Sequence, residues 1–327
     1  MLHDLVALLG DPVTDPEEGK QPTLEPIHAH RRPRHIVSST RCYSPCHLHS
    51  NTIPPLPEAF VVFSQDIPSQ SLGFIDPQAA EVDITVGGKD ITIRQSRGLL
   101  TSNRKEGTTG AVLWKVTPRF ASWIASPNFL FQNGFLGPDS KVIELGTGIS
   151  GVVALLLGPK INHYIATDQD YVLKLLKQNI AENLPSNAAK KPKPKRKAPS
   201  AAAYEGITKI DTLELDWELD SVSWLPTQLG LEESQGLDLI IACDCIYNES
   251  LIEPLNNTCA QICKLRAATA EKPTLCLVAQ QLRSHDVFEA WFNNFHRLFH
   301  VWQVPDSLLA EDLRENSGFI VHVGIVR

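Results

Sequence analysis

No uninterrupted apolar run in this chain of 327 residues is longer than Val152 to Leu157. A membrane-spanning helix needs about 20 such residues, so no transmembrane segment is expected. The start, "MLHDLVALLGDP", has no basic leader and carries Asp4 inside its apolar patch. That makes a poor secretory signal and predicts a short amphipathic helix in a cytosolic or nuclear protein. A disulfide framework is missing too: the seven cysteines are odd in number and scattered, which argues for reduced thiols. Nor does a common zinc motif appear. Cys42, Cys46, His47 and His49 lie close together in "CYSPCHLH", but their spacing matches no common finger, and an ordinary loop is the expectation. Cys259 and Cys263, four apart on a predicted helix, read as small buried residues.

The net charge of -7 hides an asymmetry. "KKPKPKRK", Lys190 to Lys197, holds six cations, which leaves 24 bases against 37 acids elsewhere, a balance of -13. An acidic body is a poor general nucleic-acid binder, so no specific DNA binding is expected. The basic run alternates with proline and has no apolar period, so a solvated insertion is expected at about residues 186–204, with a localisation or RNA-contact role as the alternative.

What is present is an alternation. Residues 1–80 read as an irregular, proline-rich extension with one or two short helices or strands, and residues 81–327 as one domain. "VDITVGGKDITIRQS" is a hairpin about Gly87-Gly88. "TTGAVLWKVTPRFASWIAS" is a turn, then a helix bearing Phe120, Trp123 and Ile124. From Lys141 the apolar runs "KVIEL", "HYIATD", "IDTLEL", "LDLIIAC" and "TLCLVAQ" alternate with helical stretches, which predicts an α/β fold with a parallel sheet covered by helices. "HVWQVP" and "GFIVHVGIVR" then form a hairpin, so an antiparallel terminal strand is expected.

Chemistry concentrates at "VIELGTGISG". Gly146, Gly148 and Gly151 satisfy G-x-G-x-x-G, with Asp168 about 20 residues on, as in a nicotinamide-dinucleotide site. A strand ending in an acid before a glycine turn equally suits S-adenosylmethionine. Glu144 favours the latter: a carboxylate there can face an ammonium and a sulfonium, whereas it would repel a pyrophosphate. No second catalytic domain follows, as a dehydrogenase would usually need. Gly146 and Gly148 let the backbone approach a ligand, and Asp168 can accept both hydroxyls of a ribose. "ELDW" brings Asp216 and Trp217 to the sheet's carboxyl edge, for an adenine amine and ring face. "IACDCIYNES" brings Cys243, Asp244 and Tyr247 there. The bland alternatives are a tight turn for the glycines, a core residue for Trp217 and a helix cap for Asp244.

Taken with "GAVLWKVTPRFASWI", "ATDQDYVLKLLKQNI" and "ACDCIYNESLIEPL", these stretches resemble the seven-strand protein lysine methyltransferases called methyltransferase-like family twenty-one, over about residues 85–327. The resemblance implies a seven-strand, Rossmann-like sheet and S-adenosylmethionine as cofactor. It implies cofactor contacts at Trp114, Gly146, Thr147, Gly148, Asp168, Trp217 and Cys243, and a protein lysine as acceptor. A ribosomal protein is the partner expected on this basis, and a monomer the expected state. Asp244 and Tyr247, in Asp-x-x-Tyr spacing, are the expected catalytic pair, orienting the ε-amine. The long amino terminus and "KKPKPKRK" depart from the family. Three other readings stay open from the residues: a small-molecule methyltransferase, a NAD-binding oxidoreductase and a non-catalytic protein of the same fold.

Overall fold

A computed structural model describes residues 2–13, 58–68, 72–101, 108–184, 209–232, 235–267 and 270–327. Cys42, Cys46, His47, His49 and the run Lys190 to Lys197 lie outside the described residues.

Nine strands are described: β1 Glu81–Val86, β2 Lys89–Arg94, β3 Lys141–Leu145, β4 His163–Asp168, β5 Lys209–Glu214, β6 Leu239–Cys243, β7 Leu275–Gln281, β8 Phe299–Gln303 and β9 Phe319–Val326. The last seven form one sheet in the order β5-β4-β3-β6-β7-β9-β8. Pairing is parallel from β5 through β7, and β9 runs antiparallel to both β7 and β8. The chain's terminal strand is therefore antiparallel, as expected, and it is wedged between β7 and β8 rather than standing at the edge.

Burial follows this topology. β6 and β7 are buried along their whole length, because helices cover both faces. On one face the helices Val116–Ile124, Val152–Leu157 and Asp170–Asn183 pack with Val142, Ile241 and Leu277. On the other, Ile252–Cys263 and His285–Leu298 pack against Ile143, Ile240 and Val278. Cys259 and Cys263 are buried in this second core, as their helical spacing suggests.

β1 and β2 form a separate hairpin. Its open edge is capped by two asparagines one turn apart on the helix Asp170–Asn183. Asn183 accepts from the Thr92 amide at 3.0 Å and donates to the Thr92 carbonyl at 2.8 Å. Asn179 does the same for Arg94, at 2.9 and 3.0 Å, and also donates to the Ile149 carbonyl at 2.7 Å. Two side chains thus satisfy an edge that would otherwise expose backbone donors and acceptors. The same helix steadies the loop that follows β3.

The helix expected at the start is Leu2–Leu9, which docks Leu5 and Leu9 into the core. Val13 bridges to Val301, and the Trp302 indole donates to the Gly10 carbonyl at 3.0 Å. "AFVVFSQ" is a short helix, Glu58–Phe63, with Phe63 edge-on to Phe288.

Candidate active site

The carboxyl ends of β3 through β6 surround a cleft with about 820 Å³ of empty space, mouth included. That is within the usual range for a small-molecule site, and at the edge of an open α/β sheet where ligands bind.

Its floor is the turn after β3. Gly146 has φ +65°, and a Cβ there would meet Cys245 Sγ at 2.8 Å and the Trp217 ring at 3.1 Å. Any other residue would be strained and would fill the cleft. Gly148, also at φ +65°, donates its amide to Asp168 Oδ2 at 2.8 Å, and the Gln169 amide donates to Oδ1 at 2.8 Å. Two short backbone bonds thus aim the Asp168 carboxylate, and each oxygen keeps a lone pair for a ligand. Burial pushes its pKa up to about 6 despite those two donors.

Asp216 and Trp217 also line the cleft. Asp216 Oδ1 accepts the Glu218 and Leu219 amides at 2.9 and 3.2 Å, and Oδ2 accepts from Gln169 Nε2 at 2.9 Å. The opposite wall is Thr109 to Trp114. It is seated on the glycine turn by the Ile149 amide, which donates to the Gly110 carbonyl at 2.9 Å. The Trp114 indole donates to the Thr109 carbonyl at 3.1 Å, and its ring packs 4.4 Å from Phe74. Thr147 and Cys243 are buried lining residues, and burial raises the Cys243 thiol well above its ordinary pKa.

Two expectations need correction. Glu144 does not line the cleft: it lies 2% exposed beneath it and accepts from the Tyr164 hydroxyl at 2.8 Å. Burial raises its pKa to about 7. Strand alternation turns its side chain to the same face as Val142, into the core under the helices Val116–Ile124 and Val152–Leu157 and away from the cleft. Asp244 does line the cleft, but it offers no free carboxylate. Arg283 grips it with both nitrogens, Nη1 to Oδ1 at 2.7 Å and Nη2 to Oδ2 at 2.6 Å, and the Gln281 amide adds a third bond at 3.2 Å. Nor is Asp244 a helix cap: the helical turn after β6 is capped by Asn248.

Arg283 escaped the sequence reading. It stacks 5.0 Å over the Trp114 ring and donates from Nε to the Leu72 carbonyl at 3.0 Å. It thereby ties the β6 corner to the cleft's far wall. Asp244 itself has φ +62°, a conformation that costs a non-glycine residue about 1–2 kcal/mol. Tyr247, 37% exposed, lines the cleft beside it and hydrogen-bonds Thr109. Partial burial raises its pKa, so its phenol stays protonated. The structure therefore gathers Trp114, Gly146, Thr147, Gly148, Asp168, Trp217, Cys243, Asp244 and Tyr247 at one cleft, and leaves Glu144 beneath it.

Comparison with known proteins points the same way. Residues 205–297 match a family described as lysine methyltransferase. A ribosomal lysine N-methyltransferase 5 of Zygosaccharomyces rouxii is 34% identical over 62% of this chain and 69% of its own length. Its namesake in Vanderwaltozyma polyspora is 30% identical over 80% of this chain and 92% of its own. A Schizosaccharomyces pombe protein named diaminohydroxyphosphoribosylamino-pyrimidine deaminase is 28% identical over 75% of this chain, which spans only 51% of that protein's length.

Proposed function

The chain belongs to the lysine methyltransferase family, and from that premise we propose that it transfers a methyl group from S-adenosylmethionine to the ε-amine of a protein lysine, with a ribosomal protein as acceptor. One observation carries this reading above all: a single cleft joins the Gly146 turn and the Asp168 carboxylate at one end to Asp244 and Tyr247 at the other. The ribosomal acceptor rests on the names of the two yeast relatives.

The cofactor, when bound, supplies an electrophilic methyl group on a sulfonium. The residues present fit it. A bare backbone at Gly146 admits a ligand where a Cβ could not stand, Asp168 is aimed to hold a ribose diol, and Trp217 covers a ring face. Glu144, beneath the turn, adds a negative field in its ionised form, which suits a cation.

The acceptor end must position a neutral amine. Neutralising a lysine of ordinary pKa at pH 7 costs about 4.6 kcal/mol, part of which desolvation in the cleft supplies. Asp244 is already neutralised by Arg283, so it is no general base. Its work is to hold the corner from which Tyr247 projects, and the Tyr247 hydroxyl orients the amine while water removes the proton. A protein acceptor is favoured over a small molecule because Tyr247 stands partly exposed at the mouth.

The test uses labelled S-adenosylmethionine with proteins stripped from purified yeast ribosomes. Label in a discrete band that hydrolyses to methyl-lysine is expected. Label confined to small molecules, or NADH binding without S-adenosylhomocysteine binding, would overturn the proposal.

A further inference from the structure

Residues 72–75 fall in the stretch whose sequence reads as an irregular extension, yet they lie against Arg283 and the wall that carries Trp114. The Lys115 amide donates to the Gly73 carbonyl at 2.8 Å, and the Ile75 amide donates to the Leu113 carbonyl at 3.1 Å. Phe74 bridges to Trp114 and packs on its ring. A strap is thereby fixed to one side of the cleft. Its contact with the other side is Arg283, whose Nε donates to the Leu72 carbonyl at 3.0 Å.

Gly73 is where the two sides meet. It is buried, with φ +92°, and a Cβ there would stand 2.6 Å from Arg283 Nη2 and closer still to Gln281 Oε1. That Oε1 in turn accepts from Arg283 Nη2 at 3.1 Å. Only a residue without a side chain leaves room for the guanidinium between the strap and Asp244. Arg283 is then held on every side: Leu72 takes Nε, Gln281 shares Nη2, and the guanidinium lies 5.0 Å over the Trp114 ring. In that pose Nη1 and Nη2 meet the two oxygens of Asp244 as a fork.

We propose that Gly73 is a positioning residue for methyl transfer: by admitting Arg283 it sets the orientation of Asp244, and through it the corner from which Tyr247 reaches the acceptor amine. The inference rests on the lysine reading above and deepens it. Neither Gly73 nor Arg283 lines the cofactor cleft, so the effect reaches the reacting atoms only through Asp244 and Tyr247. It can still be large, because a misplacement of about 1 Å costs on the order of a hundredfold in rate.

Three variants test it, each measured for melting temperature, S-adenosylhomocysteine affinity and single-turnover transfer from labelled S-adenosylmethionine to the stripped ribosomal proteins. Gly73→Ala should lower the transfer rate about tenfold or more, while cofactor affinity changes far less. Adding Gln281→Ala removes the atom that the new methyl strikes and leaves the backbone strain in place, so it should return most of the lost rate. Arg283→Lys keeps the charge and gives up the fork, and should slow transfer by a similar factor. It decides the matter if Gly73→Ala does not fold. Normal transfer in folded Gly73→Ala or in Arg283→Lys, or a double variant no faster than Gly73→Ala alone, would overturn the positioning role. If the wild-type protein binds S-adenosylhomocysteine but labels no protein, the lysine reading fails and this inference with it.

Discussion

The two ends of the cleft are built on different principles. At the cofactor end the cleft-lining acids are held mainly by backbone amides: Asp168 by those of Gly148 and Gln169, Asp216 by those of Glu218 and Leu219. At the acceptor end Asp244 is held by Arg283, 39 residues further along, which in turn reaches Leu72 and Trp114. The first kind of site needs only β3, β4 and β5 side by side, with the segment about Gly110 laid across the turn. The second exists only when β6, β7 and the 72–74 segment have all come together, so its integrity should follow global stability more closely.

The largest effect should come from breaking that long-range contact. Arg283→Leu leaves the Asp244 carboxylate, 1% exposed, without its charge partner. Removing one member of a buried pair costs about 3–5 kcal/mol. Asp244→Asn added to it should recover part of the loss, because the stranded charge is gone and asparagine tolerates a positive φ. Urea unfolding of the two single variants and the double variant measures this. Purely additive losses would mean that the pair is not coupled.

At the cofactor end the damage should fall on affinity. Gly146→Ala adds a methyl 2.8 Å from Cys245 Sγ in a left-handed backbone. S-adenosylhomocysteine affinity should drop on the order of a hundredfold, from strain and a blocked approach. Asp168→Ala should weaken binding by about 1.5–3 kcal/mol, the usual cost of losing a charged hydrogen-bond partner, while leaving folding largely intact. Calorimetry on the folded variants reads both. An unchanged dissociation constant for either would remove that residue from the cofactor site.

This contrast also explains what could be read without the structure. Residues that belong to a local sequence pattern announce themselves: the glycine turn, Asp168 at the end of β4, the Gly87-Gly88 hairpin and the alternation of strands and helices. Arg283 gave no signal, since one arginine after β7 looks like any surface cation until Asp244 is seen opposite. Asp244 was legible in place, but its pairing with Arg283 was not, for the same reason. Glu144 was misread because strand alternation decides which face it takes, and the glycine turn beyond it says nothing of that face. The placement of β9 between β7 and β8 was equally hidden, since a hairpin signal fixes pairing but not which member lies inside.

The smallest expected effect isolates Glu144, the one acid of the cofactor end with no contact to the cleft. Its pKa is about 7 in the folded protein against an ordinary value of 4.5, because burial outweighs the Tyr164 hydroxyl that favours its charge. Folding therefore favours the protonated form. The contribution is fully favourable below about pH 4.5 and is lost as pH rises through about 7. Between pH 6 and 8 this group alone should cost the wild-type protein about 1 kcal/mol of stability that Glu144→Gln does not lose. His163, whose pKa burial lowers, opposes this on the acid side, and it is common to both proteins. The difference between them therefore reports Glu144 alone. The same variant separates field from contact in binding: loss of a negative field should weaken the sulfonium of S-adenosylmethionine more than the neutral thioether of S-adenosylhomocysteine. Equal weakening of both ligands would show that Glu144 acts by shaping the turn, and a stability difference that does not vary between pH 6 and 8 would show that its carboxyl keeps an ordinary pKa.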